Sequence, residues 1–220
     1  MIRRVLEWLF PEKCVLCRSF LEKGETDLCR ACRLDQPEYP FGKKKVPHIT
    51  VLTAVWMYQG RAADSLKRYK FANARHYAPA YGRLLAMRID RDLPRADLIT
   101  WVPVSAKRLH RRGYDQVELL ARAVSEELGI PLVSTLEKFR DNQANSGLKT
   151  PAERRANVLG VYRPVQPERF RGKRVLLLDD IVTTGATASE CARVLLTAGA
   201  GEILFGAVAA GGTTSSKKVQ

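Results

Sequence analysis

No stretch of the chain approaches the roughly 18 consecutive apolar residues that a helix needs to span a bilayer, so a membrane-spanning helix is excluded. A secretory signal is not expected either. The opening MIRRVLEWLF is basic and briefly apolar, but Glu7 interrupts the run, and Pro11, Glu12 and Lys13 stand where small residues would precede a cleavage site. This segment reads as an amphipathic helix, and the expected location is cytoplasmic. No internal repeat is visible. Acidic residues are scarce as well: 23 Asp and Glu oppose 37 Lys and Arg, which leaves a net charge of +14. A surplus of this size attracts polyanions, so phosphorylated ligands and nucleic acid are the expected partners. A merely solvated basic surface is the alternative, because charge alone carries little specificity.

What is present suits a globular fold. With 220 residues, 45% hydrophobic and 27% charged, one α/β domain plus a small appendage is expected. Strand-like runs at 49–58, 98–104, 131–134, 158–162, 175–178 and 203–210, with a further apolar patch at 136–139, alternate with helical patterns at 61–71, 77–89, 114–128 and 186–197. In the first of these helices Ala62, Ser65, Leu66 and Tyr69 share a face ringed by basic residues. Gly129 is the stop signal of the third. This order predicts an α/β fold with a mainly parallel sheet flanked by helices. Trp56, Tyr58, Tyr69 and Tyr77 read as core residues, with stacking on bases as the alternative. Cys191 reads as a small core residue.

Four of the five cysteines form two CxxC pairs, Cys14 with Cys17 and Cys29 with Cys32, and Gly24 lies between them. Each pair can bend so that two thiolates face one metal, which is the pattern of a closed, structural four-thiolate Zn2+ site. Two disulfides are the alternative, disfavoured in a reducing compartment. A segment this small builds no core alone, so metal would supply its folding free energy. Residues 34–48, with Pro37, Pro40, Gly42 and Pro47, read as a linker. The expected division is 1–48 for helix, knuckle and linker, 49–210 for the main domain, and 211–220 for a frayed tail.

The most informative stretch is RVLLLDDIVTTGAT, residues 174–187. Val175 to Leu178 suit a strand buried on both faces. Asp179 and Asp180 then fall at its carboxyl end, where open α/β sheets bind ligands. Thr183, Thr184, Gly185, Ala186 and Thr187 form the turn into a helix, offering hydroxyls and amides to an anion. The glycine permits close approach of a phosphate, while carboxylates can accept from sugar hydroxyls and help to hold a divalent metal. A Walker-type loop is a poor match, since no lysine lies in the turn.

This stretch resembles the phosphoribosyl-pyrophosphate (PRPP) signature of type I phosphoribosyltransferases. The resemblance implies that Asp179 and Asp180 contact the ribose hydroxyls, that Thr183 to Thr187 hold the 5′-phosphate, and that Mg2+ accompanies PRPP. A second segment, VPVSAKRLHRRGYDQVELLA, is similar to the region of the ComF family in which a strand is followed by an RGFNQ-type sequence and a helix; Asp115 stands at the usual Asn. Residues 105–113 read as a basic loop, and by that resemblance Val104, Ser105, Ala106, Lys107 and Arg108 contact pyrophosphate. The polar stretch 140–155 reads as a long mobile loop. In the family, a flexible loop at this place closes over substrate, and Arg140, Arg154 and Asn157 fit its pattern.

The resemblance runs from Cys14 to about Ala209. It implies a type I phosphoribosyltransferase-like fold with a small N-terminal zinc-binding subdomain, and a reaction that displaces pyrophosphate from C1′ of PRPP. Catalysis would then rest on positioning and electrostatic stabilisation, with Asp179, Asp180, Lys107 and Arg108 as its residues. The family's association is with natural competence and DNA uptake, so other competence proteins are expected partners. No general base for the acceptor and no nucleobase pocket can be identified. The rival reading is therefore a non-catalytic binder of single-stranded DNA with a regulatory ribose-phosphate site.

Overall fold

A parallel strand buried on both faces needs a layer on each side, and that requirement shapes this molecule. The computed structural model describes residues 12–142 and 150–211. Its strands are β1 (Val51–Met57), β2 (Leu98–Trp101), β3 (Leu136–Lys138), β4 (Tyr162–Pro164), β5 (Arg174–Val182) and β6 (Glu202–Ala210). The helices are α1 (Arg30–Asp35), α2 (Gly60–Phe71), α3 (Ala78–Asp92), α4 (Ala106–Arg112), α5 (Gln116–Leu128), α6 (Pro151–Val158) and α7 (Ala186–Thr197). Four strands pair in parallel in the order β1–β6–β5–β2, and β3 and β4 form a separate antiparallel pair. The expected parallel sheet with helices on both faces is what the chain forms.

Period-two alternation along β5 divides the core. Leu176 and Leu178 face the layer of α2, α3 and α5, while Val175 and Leu177 face the layer of α7 and the β3–β4 pair. The buried face of α2 is Ala62, Ser65, Leu66 and Tyr69, as its pattern predicts. Helix α7 has the expected bounds, and α5 ends at Gly129 in the left-handed conformation. Trp56, Tyr69 and Tyr77 are buried in edge-to-face contacts around Tyr81, which removes them as stacking platforms for bases. Cys191 is fully buried. No helix among the described residues is long and apolar enough to cross a membrane.

Four local expectations change. The basic loop 105–113 is a short helix, because Ser105 accepts the amide of Arg108 at its start and Gly113 takes a left-handed turn at its end. Within 140–155, the part from Pro151 onward is helical. Thr150 and Glu153 form a capping box and Pro151 opens α6, a start signal present in the sequence as T-P-A-E. The strand expected at 158–162 lies later, at β4, since Val158 completes that helix. The strand at 131–134 is reduced to one parallel bridge between Leu132 and Ile99 on the outer edge of β2. The N-terminal helix, the centre of the loop (143–149) and the tail from 212 lie outside the described residues.

The segment between the cysteines and β1 runs along the free edge of that strand. Tyr39 donates its amide to Val55 and Met57 donates to Pro37, each at 3.0 Å. Cys14, Val15, Leu16, Leu28 and Cys32 are buried in the same cluster as α2, α3 and α5, so the cysteine segment shares the main core.

Candidate functional site

The pleat of β5 sends its two acids to opposite faces of the sheet. Asp180 turns toward α2 and α5. There its carboxylate meets Lys70 Nζ at 2.9 Å and accepts from Gln116 Nε2 at 3.2 Å. Gln116 is held in turn by Arg112, whose Nη1 donates to Gln116 Oε1 at 2.7 Å. Burial opposes charge on Lys70, but Asp180 and Asp179 outweigh it and hold the ammonium above its ordinary pKa. Asp179 turns to the other face, toward Tyr162 and Cys191. Burial, reinforced by the neighbouring charge of Asp180, raises its carboxyl well above the usual range.

Beyond the acids, the turn into α7 is bound from behind. Gly185 has φ +83°, and a Cβ there would lie 2.7 Å from Val46 Cγ2, so both conformation and space require glycine. Lys44 Nζ donates to the carbonyls of Thr183 and, at 2.8 Å, Gly211. Thr183 and Thr184 remain exposed, Ala186 is buried and Thr187 half-buried. The turn therefore presents hydroxyls and the first amides of a helix to one side while its carbonyl face is occupied.

Residues 104–108 approach from β2. Asp115 organises them: one oxygen caps α5 through the amides of Val117 and Glu118, and the other accepts the amide of Val104 at 3.1 Å. Burial raises the Asp115 carboxyl above its ordinary pKa despite these bonds. The amides of Val104 and Arg108 are taken, while Ala106 and Lys107 lie in the first turn of α4, where amides have no intrahelical acceptor, so this segment offers an anion both amides and side chains. Ser105 is buried, Ala106 and Lys107 are exposed, and Arg108 Nη2 donates to the Asn142 carbonyl at 3.1 Å. Asn142 Nδ2 reaches the Asn157 carbonyl at 2.9 Å, joining the chain after β3 to α6. Arg140 is exposed and lies over the Phe139 ring, and Arg154 is half-buried on α6.

At the other end of the fold the sulfurs of Cys14, Cys17, Cys29 and Cys32 lie within 4.8 Å of one another. Cys17 and Cys29 are 3.6 Å apart. Four thiolates about 2.3 Å from one zinc would be roughly 3.8 Å apart, so the cluster fits that ion. Arg61 Nη1 donates to Cys32 Sγ at 3.3 Å, the kind of outer contact that orients a thiolate. Among the described residues this is the group of His, Cys, Asp and Glu side chains spaced to hold a metal.

The structure thus gathers Asp179, Asp180, the Thr183–Thr187 turn and residues 104–108 at the carboxyl ends of β2 and β5. Sequence reasoning missed Lys70, Gln116 and Lys44. Nothing local marks them, since each reaches the acids or the turn from a distant segment. Asp115 could have been found: an Asp followed three residues later by Glu118 is a helix-start pattern.

With this geometry in view, comparison with known proteins becomes informative. The family model described as phosphoribosyl transferase domain matches residues 118–220. Competence protein F of Haemophilus influenzae is 27% identical over 88% of this chain and 95% of its own. Competence protein ComFC of Bacillus subtilis is 25% identical over 89% of this chain and 83% of its own. Over most of its length the chain is thus similar to proteins named for competence. A further relative, the DNA utilization protein YhgH of Salmonella typhi, is 29% identical over 88% of this chain and 94% of its own. The family match takes in both acids and the turn after them.

The Lys70–Asp180 pair gives a direct test of how the acids are held. Lys70→Met should destabilise the fold by about 3–5 kcal/mol in denaturant unfolding, because Asp180 is left buried without its cation. Adding Asp180→Asn should recover much of that loss. If the two effects simply add, the pair does not support the site.

Proposed function

We propose that this chain binds PRPP or a related ribose phosphate at the carboxyl end of β5, and that it is built to transfer the phosphoribosyl group with release of pyrophosphate. One observation carries the reading. Two acids directed to opposite sheet faces are followed by a left-handed glycine that opens α7, within the segment matched by the phosphoribosyl transferase domain. Asp179 and Asp180 would accept from the ribose hydroxyls, and the turn at Thr183–Thr187 would receive the 5′-phosphate on its hydroxyls and helix amides. Lys107 and Arg108 would face the pyrophosphate. Loss of pyrophosphate from C1′ leaves positive charge on the sugar and negative charge on the leaving group, so fixed cations and positioning supply the catalysis. Both Asp180 oxygens already have protein partners, so the acids form no cage of their own and Mg2+ would enter with the pyrophosphate. In this reading the four cysteines hold one zinc as a structural ion.

A second reading, binding of single-stranded DNA, draws on a separate surface. A cavity of about 890 Å³ beside the cysteine segment is lined by Lys13, Arg18, Phe20, Arg68, His76 and Arg83 among others. Phe20 is 61% exposed there and could stack on a base, while the cations face the backbone. The names of the relatives, competence protein and DNA utilization protein, agree with a role in DNA uptake alongside other competence proteins.

Four measurements test these readings. PRPP with Mg2+ should raise the thermal midpoint of the wild type, and Asp179→Asn or Asp180→Asn should abolish most of the rise; no shift in the wild type would sink the ribose-phosphate reading. Release of pyrophosphate during incubation with bases, amines or oligonucleotides would then distinguish a transferase from a binder. Metal analysis after extensive dialysis should find about one zinc per chain, and Cys17→Ser with Cys29→Ser should lose it. For DNA, oligonucleotide affinity should fall steeply with salt and weaken in Lys13→Ala with Arg18→Ala. An affinity indifferent to both would remove the groove from consideration.

A further inference from the structure

Asp180 has a cation on its face of the sheet, Lys70. The opposite face, to which Asp179 turns, also carries a buried cation, and neither the turn nor residues 104–108 account for it. Lys138 ends β3 and is 8% exposed. Among the described residues its ammonium has no hydrogen bond and no ion pair. Its one close polar contact is the Tyr162 ring, 5.5 Å away.

The charged and titratable groups around it come from five segments. They are Arg108 of α4, Asp141 just after β3, Tyr162 of β4, Asp179 of β5 and Cys191 of α7. Burial lowers the ammonium to about 8, Arg108 pushes in the same direction, and Asp141, Cys191 and Asp179 oppose it incompletely. Four residues on in the chain, Asn142 Oδ1 is buried without a hydrogen-bond partner. An ammonium buried without a counter-charge is costly to a fold unless something else meets it. A lysine can relieve that cost by extending its stem to water, but this one is almost wholly covered. Two cations, Lys138 and Arg108, thus converge near Asp179 with less negative charge than they could accept.

We propose that Lys138 is a contact of the site for the diphosphate of the bound ligand, acting beside Arg108, and that it takes up a proton when that ligand arrives. The proposal rests on the ribose-phosphate reading above. Lys70 has no such role available, since Asp180 already holds it. A ligand anion would supply the charge that Asp141 and Asp179 leave unmet, so Lys138 would be fully protonated in the complex.

The sign of the pH effect follows. Below about pH 7 Lys138 is already charged in the free protein, and binding moves no proton at this residue. Above about pH 8 it is mostly neutral, and each binding event must charge it. Its contribution to affinity therefore falls as pH rises, with a slope approaching one tenfold step per pH unit.

Calorimetry decides the matter, with inorganic pyrophosphate and PRPP as separate probes at pH 6.5 and 8.5, in buffers of different ionisation heat. Protons taken up by the probes themselves cancel when variants are compared with the wild type. Lys138→Arg keeps a charge that does not titrate. It should retain binding within a fewfold at pH 6.5 yet take up roughly three quarters of a proton less than the wild type at pH 8.5, with a flatter pH profile. Lys138→Met should weaken binding roughly 10- to 100-fold at pH 6.5, the usual effect of losing a charged hydrogen bond. Thermal melts check that each variant folds, and the Arg variant carries the test alone if the Met variant does not. If the wild type binds and Lys138→Arg shows the same proton uptake and pH slope, this proposal fails while the ribose-phosphate reading stands. If the wild type binds neither probe, both fall together.

Discussion

The ion pair between Lys70 and Asp180 is the contact on which the rest of the site depends. β5 is apolar from Val175 until it reaches two adjacent acids, and the one that turns under the helices is 3% exposed. A carboxylate in that position has to be met by a cation and by hydrogen-bond donors, or it destabilises the strand that carries it. α2 supplies the cation and α5 the donor, so the packing of both helices is tied to the acid at the end of the sheet. The same pleat that delivers Asp180 to this network delivers Asp179 to the other face. A ligand at the strand end thus meets two carboxyls with different surroundings, one already satisfied and the other held in an environment that raises its pKa.

The cysteine segment is part of this arrangement. Its buried residues join the core under α2 and α3, where Ser65 Oγ donates to the Val15 carbonyl and Arg68 to the Leu16 carbonyl, and the chain leaving it follows the edge of β1. From there Lys44 and Val46 reach the back of the turn before α7, and His48 Nδ1 lies 3.3 Å from Ser189 Oγ in the helix itself. A metal at the four sulfurs and a ligand at the turn would therefore sit at opposite ends of one packed path.

Much of this was legible in the chain because local signals are strong where a single segment does the whole job. The run VLLLDD is a strand with acids at its end, TTGAT is a turn into a helix, and paired CxxC motifs bring sulfurs together by short-range bending. The missed helices, α4 and α6, are polar and short, and they were hidden by composition. Their caps, Ser105 with Gly113 and Thr150 with Glu153, were written plainly, but basic and polar content suggested loops. Pro151 pointed to a break, when in the first turn of a helix it is a start.

The sequence by itself determined the parallel α/β plan, the position of the acids and the turn, and the grouping of the cysteines. Each follows from periodicity, propensity or short spacing, which act over a few residues. Only the tertiary structure decided which charges meet. Lys70 and Gln116 come to Asp180 from 110 and 64 positions away in the chain, Lys44 comes to Thr183 from 139, and Lys138 reaches the face of Asp179 from a separate strand pair. The range of an electrostatic interaction is a distance in space, and no pattern along the chain reports that distance until the sheet and its covering helices have formed.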